Sequence, residues 1–450
     1  MIGPARVAAY DILLAVSAGR ADLPAAIAHA RSTLTDERDR ALASEIATGV
    51  QRWRAALDHV IAHVSKRSID RLDPEIVEIL RLGAYQLLYL SRVPAAAVVD
   101  DAVNLAGRAG KRSASGLVNA VLRSISRARA TLPLPPRPAD PANRPAAIDY
   151  LAVTLSHPRW LVERWLDRFG FDATEQWLRF NNAPAPLTLR ANRLRVTREA
   201  LAEQLAHHDV VVKPTGFAPD GLIVEQGHLP GRIDGLMVMQ DEASQLIALL
   251  AGRHPGPRVL DTCAAPGGKT LALAAGMERG GLLVACDVRG RRMDLLRRAI
   301  ETSGATNVRL VQADTLQPLP FSQPFDCVLV DAPCSGLGIL RRDPDIRWRR
   351  REDDLPSFAA AQLVMLQRAA AAVAPGGRLI YSTCSSEPEE NESVAHAFLA
   401  TSPAFAAVDL RQDADCALPA EVIDANGHLR TYPHLHGLEA FFGAAFLLRS

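Results

Sequence analysis

Lysine is nearly missing from this chain. Of 51 basic residues only Lys66, Lys111, Lys213 and Lys269 are lysines, and arginine carries the remaining positive charge. Its six cysteines, Cys263, Cys286, Cys327, Cys334, Cys384 and Cys416, include no C-x-x-C pair and no cysteine–histidine cluster at zinc-ligand spacing. Free thiols and no metal are therefore expected. Arg6 and Asp11 interrupt MIGPARVAAYDILLAV before a signal-length apolar run can form, and no later stretch spans a membrane length without a charge. The expectation is a cytoplasmic protein with no membrane partner, its thiols reduced.

A formal net charge of +1 neither favours nor excludes nucleic acid, so the distribution of charge matters more. Arg108, Lys111, Arg112, Arg123, Arg127 and Arg129 fall in a stretch without acids. Arg341, Arg342, Arg347, Arg349, Arg350 and Arg351 crowd another that holds only Asp343 and Asp345. Taken alone, each run reads equally as a solvated face or as a phosphate contact.

With 450 residues and 48% hydrophobic content the chain has room for several cores. Residues 1–132 repeat apolar positions at helical spacing, as in EIVEILRLGAYQLLYL and ASGLVNAVLRSIS, which predicts an all-α domain. Six prolines between Pro133 and Pro145 make 133–147 a semi-rigid linker. In residues 148–234, Ser156 is placed to cap a helix with Pro158 in its first turn and Trp160, Leu161, Trp165 and Phe169 along it. LTLRA, a helix from about Thr197, VVVKP and GLIVEQ follow, the pattern of a small α/β unit. From 235 to 450, RVLDTC, GLLVACD, VRLVQAD, FDCVLVDAP and GRLIYSTC alternate with helical segments, which predicts an α/β doubly wound parallel sheet.

The tips of those strands hold the chemistry. DTCAAPGGKT, residues 261–270, is a Gly-rich turn from strand to helix, which brings backbone N–H groups close to a ligand. As a triphosphate loop it is poor, because Cys263 stands where the first glycine belongs and Pro266 removes a donor. A turn that merely packs helix on strand stays open at this point. Asp287 ends the second strand, nineteen residues after Gly268, at the spacing where an acid meets ribose hydroxyls. Asp314 and Asp331 end the third and fourth. Singly each reads as a satisfied loop acid. Together they suit a ligand with hydroxyls, an amino-bearing base and a cationic centre, and they repel polyphosphate; S-adenosylmethionine has all three features.

Cys334 in DAPCSG and Cys384 in YSTCS follow adjacent strands in polar turns, where a buried-hydrophobe reading fits poorly; it is accepted for Cys286, Cys327 and Cys416. Ser386, Pro388 and Glu389 predict a helix start just after Cys384, which would stabilise a thiolate, while Glu387, Glu389 and Glu390 oppose that.

DTCAAPGGKT, DAPCSGLGILRRDPDIRW, YSTCSSEPEEN and QDEASQL resemble the RNA cytosine-5 methyltransferases, SHPRWLVERW resembles the segment before their catalytic domain, and the first domain looks like the NusB fold. The resemblance covers nearly the whole chain. It implies a NusB-like RNA-binding domain, a Rossmann-like catalytic domain and S-adenosyl-L-methionine as cofactor. Cys384 would be the nucleophile, Cys334 the residue that assists release, and Asp331 the base-edge contact. Cys263, Ala264, Ala265, Pro266, Gly267, Gly268, Lys269, Asp287, Arg292, Asp314 and Asp331 would line the cofactor, and Arg341, Arg342 and Arg347 would hold RNA phosphates. Small-subunit (16S) ribosomal RNA is the implied substrate of a monomeric enzyme, with transfer RNA or a non-catalytic assembly role as alternatives. Where relatives commonly have Asp-Gly-Phe-Phe, this chain has Glu439, Ala440, Phe441 and Phe442, so a different turn is expected there.

Overall fold

The computed structural model describes residues 2–230, 235–252, 255–277 and 280–449, which fall into two compact units. One comprises Met1–Ala183 with Leu340–Arg351; the other comprises Pro184–Ile339 with Glu352–Ser450.

The first unit is helical, as its periodicity predicts. Seven helices, Pro4–Ser17, Leu23–Thr33, Glu37–Arg52, Arg54–Ser65, Pro74–Tyr89, Ala95–Arg108 and Ser115–Arg127, enclose one core. Pro74–Tyr89 is its axis: every residue from Ile76 to Leu87 is buried. Two of these are charged, and Arg81 satisfies its guanidinium on both oxygens of Asp58 (2.6 and 2.7 Å) and on Glu78 (2.6 Å). Burial raises the Glu78 pKa against that pairing.

Three expectations need correction here. The proline segment 133–147 is not a linker between units, because its backbone lies on the first unit. The Pro133 carbonyl meets His59 Nε2 at 2.8 Å, the Pro135 carbonyl accepts from Thr154 Oγ1 at 2.6 Å, and Arg137 pairs with Glu175 at 2.9 Å. Ser156 does not cap the helix that follows it: the helix Arg159–Asn182, broken at Gly170 (φ 75°), starts one residue past Pro158, and Ser156 Oγ instead accepts from Ala55 N, in the first turn of helix Arg54–Ser65, at 2.9 Å. Arg347 cannot hold a phosphate, because it is wholly buried in this unit. Its guanidinium donates to the Ser156 carbonyl (2.9 Å) and to Asn182 Oδ1 (3.0 Å), and burial pushes its pKa well down.

The second unit holds two sheets. The smaller is antiparallel, formed by β1 (Thr188–Ala191), β2 (Val211–Pro214), β3 (Gly221–Gln226) and β4 (Met237–Met239) in the order β2-β3-β1-β4. Helix Arg198–Ala206, capped by Thr197, packs with it. β4 lies past the expected domain edge at 234, which itself falls in 231–234, outside the described residues. The larger sheet contains β5 (Arg258–Asp261), β6 (Leu282–Asp287), β7 (Val308–Gln312), β8 (Phe325–Asp331), β9 (Val373–Thr383), β10 (Phe405–Val408), β11 (Leu429–Arg430) and β12 (Phe442–Leu448). Its order is β10-β12-β9-β8-β5-β6-β7, with β11 beside β12. β5 to β9 are the five predicted runs and pair in parallel; β10, β11 and β12 add an antiparallel edge, so the sheet is mixed. The order reverses between β5 and β8, and ligands of such sheets bind at the carboxyl ends beside that point. No helix among the described residues is long and apolar enough to cross a membrane.

Replacing Arg347 by alanine leaves buried carbonyl oxygens without a donor. The expected cost is about 3 kcal/mol or more, read as a lower denaturant midpoint of the full chain.

Candidate active site

Three loops meet at the reversal point. After β5 the chain turns through Cys263–Gly267 into helix Gly268–Gly276. Gly267 has φ 112°, and a Cβ there would press on Leu296 at 3.0 Å, so the turn requires glycine. Ala264 and Ala265 are buried, Cys263, Gly268 and Lys269 are half-buried, and Pro266 is exposed. Asp287, at the end of β6, is 3% exposed and accepts from the Ala265 backbone N–H (3.3 Å) and from Arg289 N (3.2 Å). Arg292 donates to the Ala265 carbonyl and lies 3.7 Å from Asp287, so it braces the loop. Asp314 is half-buried beyond β7, and its Oδ1 accepts from Leu316 N at 3.0 Å.

Asp331 ends β8, and a second shared contact fixes each of its oxygens. Lys269 Nζ donates to Oδ2 at 2.6 Å, and Ser382 Oγ donates to Oδ1 at 2.8 Å. Burial disfavours the Lys269 charge, yet the carboxylate outweighs it and holds the lysine pKa above its ordinary value. The ammonium also stands 5.7 Å from the Phe441 ring. Lys269 was read from the sequence as one of the cofactor residues; its pairing with Asp331 adds a link to the other side of the pocket.

Cys334 and Cys384 come together. Their sulfurs are 3.3 Å apart, both half-buried. The hydrogen bond shared with Cys384, with burial second, pushes the Cys334 thiol well above the ordinary range. Cys286 and Cys327 are buried hydrophobes as expected, with pKa values pushed up to about 12 by burial, while Cys416 is only half-buried. No helix starts behind Cys384: Pro388–Glu390 forms a single 3-10 turn and the helix begins at Glu392. Ser386 Oγ donates to Glu387 rather than capping. The loop carrying Cys334 passes so close to its neighbours that a Cβ on Gly338 would stand 1.9 Å from the Ala440 carbonyl oxygen. Ala440 N donates to the Gly338 carbonyl at 3.0 Å, and Ala440 is not among the residues of positive φ, so alanine serves in that turn without strain.

Arg341 and Arg342 lie in the other unit. Both are half-buried, and the Arg341 guanidinium stacks 4.3 Å over Phe180. Sequence reasoning missed Glu390, Ser335, Ser385 and Gln362, which are wholly buried behind the two thiols. In the sequence Glu390 counts only among the acids that oppose a Cys384 thiolate, and nothing there links it to Ser335 or Gln362.

The donor set fits S-adenosylmethionine: a tight turn with Gly267 at a helix start, acids at or just past three strand ends, and the Asp331 carboxylate at the end of the strand that precedes the Cys334 loop. Bound there, the cofactor supplies an electrophilic methyl group. Among the described residues no group of three or more His, Cys, Asp or Glu is placed to hold a metal. Fold and site together define an S-adenosylmethionine-dependent methyltransferase.

Comparison with known proteins narrows this. Residues 248–447 match the model of the 16S rRNA methyltransferases RsmB/F, residues 4–127 that of the NusB family, and residues 157–229 that of the ferredoxin-like domain of RsmF/B-like methyltransferases. Ribosomal RNA small subunit methyltransferase B of Pseudomonas putida is 35% identical over 420 residues, 92% of this chain and 93% of its own. The Salmonella arizonae protein of that name is 32% identical over 376 residues, 82% and 83%. The crystal structure of PH0851 superposes with a TM-score of 0.80 at 26% identity, covering 99% of both chains. A methyltransferase homologue from Pyrococcus horikoshii matches with a TM-score of 0.58 at 27% identity, over 67% of this chain and 99% of its own. The chain belongs to the RsmB/F family of 16S rRNA methyltransferases.

One titration behind the loop is accessible to measurement. Burial raises the Asp261 pKa from 3.8 to about 7, opposed by the hydroxyl of Thr270, which donates to it at 2.7 Å. Between those values the folded chain holds a proton that the unfolded chain has lost. The contribution of this group to stability is therefore full below about pH 4 and declines as the pH rises toward 7. Urea unfolding of the wild type and of Asp261→Asn across that window should show the decline reduced in the variant.

Proposed function

We propose that this enzyme methylates C5 of a cytosine in small-subunit ribosomal RNA through a covalent bond between Cys384 and C6 of the base. The observation that carries the reading is the pair of thiols 3.3 Å apart beside an Asp331 carboxylate held by Lys269. Cytosine C5 is too weak a nucleophile to attack a methyl sulfonium unaided, and covalent addition at C6 makes it an enamine carbon. The family relatives are named as small-subunit RNA methyltransferases, which supports the substrate, and the NusB match supports an RNA-binding role for the first unit.

Burial and the neighbouring Cys384 push the Cys334 thiol up, which favours Cys384 as the attacking thiolate. Addition to C6 forms the S–C6 bond and pushes electron density toward C5, while the Asp331 carboxylate accepts from the amino group of the base edge and orients it. Cys334, its own proton released to solvent, then stands within reach to take the C5 proton. With C5 bonded to the methyl carbon, the methyl–sulfonium bond having broken, loss of that proton restores the C5–C6 double bond and expels Cys384 as thiolate. The backbone from Cys263 to Lys269, with Asp287 and Asp314, would hold the cofactor. The target cytosine must be unstacked or looped out to enter. Arg341 and Arg342 are the proposed phosphate contacts, and the enzyme is proposed to act in the cytoplasm.

Bisulfite sequencing of ribosomal and transfer RNA from cells with and without the gene tests the substrate. One small-subunit methylcytosine should vanish and return with the wild-type gene but not with Cys384→Ala. With Cys334→Ala, RNA should accumulate as a covalent adduct on the protein. If a transfer-RNA mark vanishes instead, the substrate is wrong; if no methylcytosine is lost, the catalytic reading is wrong.

A further inference from the structure

Both cysteine loops end on one buried carboxylate. Glu390 lies six residues past Cys384 in the turn Pro388–Glu390 and is wholly inaccessible to solvent. Its Oε1 accepts from the backbone N–H of Ser335 at 2.7 Å and from Gln362 Nε2 at 3.0 Å. Its Oε2 accepts from the hydroxyls of Ser335 and Ser385, each at 2.5 Å. Ser335 directly follows Cys334, Ser385 directly follows Cys384, and the two hydroxyls lie 3.1 Å from one another. The arrangement is anchored from behind: the Tyr381 hydroxyl sits 2.5 Å from the Glu390 carbonyl oxygen and 3.0 Å from Gln362 Oε1. The next residue, Asn391, accepts from Thr383 Oγ1 at 2.5 Å and donates to the Ser385 carbonyl at 3.0 Å.

A carboxylate taken wholly out of water is costly unless its oxygens are satisfied, and here four donors converge on two oxygens. Three of the four come from residues adjacent to the thiols. The two loops are 50 residues apart in sequence; the Gly338 N–H donates across to the Cys384 carbonyl at 2.9 Å, and this carboxylate is the buried acceptor on which the residues beside both thiols converge. We propose that Glu390 is a positioning residue that sets the separation of the Cys334 and Cys384 sulfurs, so that Cys334 stays within reach of a base bonded to Cys384. The inference rests on the two-cysteine reading above. Glu390 touches neither sulfur, so it acts through Ser335 and Ser385. Its charge also adds to the forces that keep Cys334 protonated at rest.

Removing the carboxylate leaves a buried N–H and two hydroxyls without their acceptor and frees the loops to part. A misplacement of about 1 Å at a reacting pair costs on the order of 100-fold in rate. The test uses the full chain and dibromobimane, which fluoresces when it bridges two neighbouring thiols, with Cys334→Ser as the background. Glu390→Ala should cross-link and turn over RNA about 10- to 100-fold more slowly, with cofactor affinity unchanged. Glu390→Gln, which keeps an acceptor toward Ser335 N and Gln362 and an amide that the hydroxyls can face, should restore both. Wild-type cross-linking or wild-type turnover in folded Glu390→Ala overturns the proposal. If Glu390→Ala does not fold, the double variant Ser335→Ala/Ser385→Ala decides: a fall in both readouts supports the clamp, and wild-type values overturn it. Because cross-linking needs no RNA and no transfer, it reports on the clamp even if Cys384→Ala proves the covalent reading wrong.

Discussion

The parallel register of β8 against β9 is the constraint from which the site follows. Asp331 pairs with Ser382 and Val330 with Tyr381, so the two strands finish level and their loops depart side by side. One residue of slip would turn each of these side chains to the opposite face of the sheet. With the register held, Ser382 reaches Asp331 and the sulfurs of Cys334 and Cys384 fall into contact. β5 adjoins β8 on the other side, with Asp261 opposite Leu329, which brings Lys269 in from the glycine loop to the same carboxylate. A strand pairing with a purely apolar core thus assembles a polar site from three distant pieces of sequence.

Charge in this pocket is sparse and local. Lys269 stands in a chain that otherwise relies on arginine, and its surroundings give a reason. Its ammonium fits between the Asp331 carboxylate and the face of Phe441, with its side chain 14% exposed. A compact point charge suits that space, whereas the planar guanidinium fork needs several acceptors in one plane. Arg347 shows the contrasting case, a guanidinium buried among carbonyl oxygens that it bridges. The pair Lys269–Asp331 also links the cofactor loop to the base-edge contact, so disturbance of one side of the pocket is felt on the other.

Much of this was legible in the sequence because the signals are local. The five parallel strands appear as short apolar runs, the glycine loop as a strand-to-helix turn, and the thiols as cysteines in polar turns at strand ends. What was misread depends on contacts between residues far apart in the chain. In the sequence Glu390 is one of three acids set against a Cys384 thiolate; only the fold shows Ser335, from another loop, donating to it. Ser386 and Pro388 have the pattern of a helix cap, but Asn391 and Glu390 are committed to neighbouring loops and the helix waits until Glu392. The arginine run from 341 reads as one basic surface, yet Arg347 turns inward to oxygens of Ser156 and Asn182. The prolines of 133–147 read as a linker, yet Pro145 stands in the first turn of helix Arg144–Asp149, and that the carbonyls of Pro133 and Pro135 would be bound by His59 and Thr154 is a tertiary fact.

The central claim is that Cys384 forms the bond to the base. The most direct measurement is mass spectrometry of the enzyme trapped on substrate RNA that carries 5-fluorocytosine at the target, where loss of the C5 proton is blocked and the adduct cannot resolve. The account predicts a cofactor-dependent modification on the peptide containing Cys384, with Cys334 unmodified. Modification of Cys334, or methyl transfer without any covalent adduct, would contradict it.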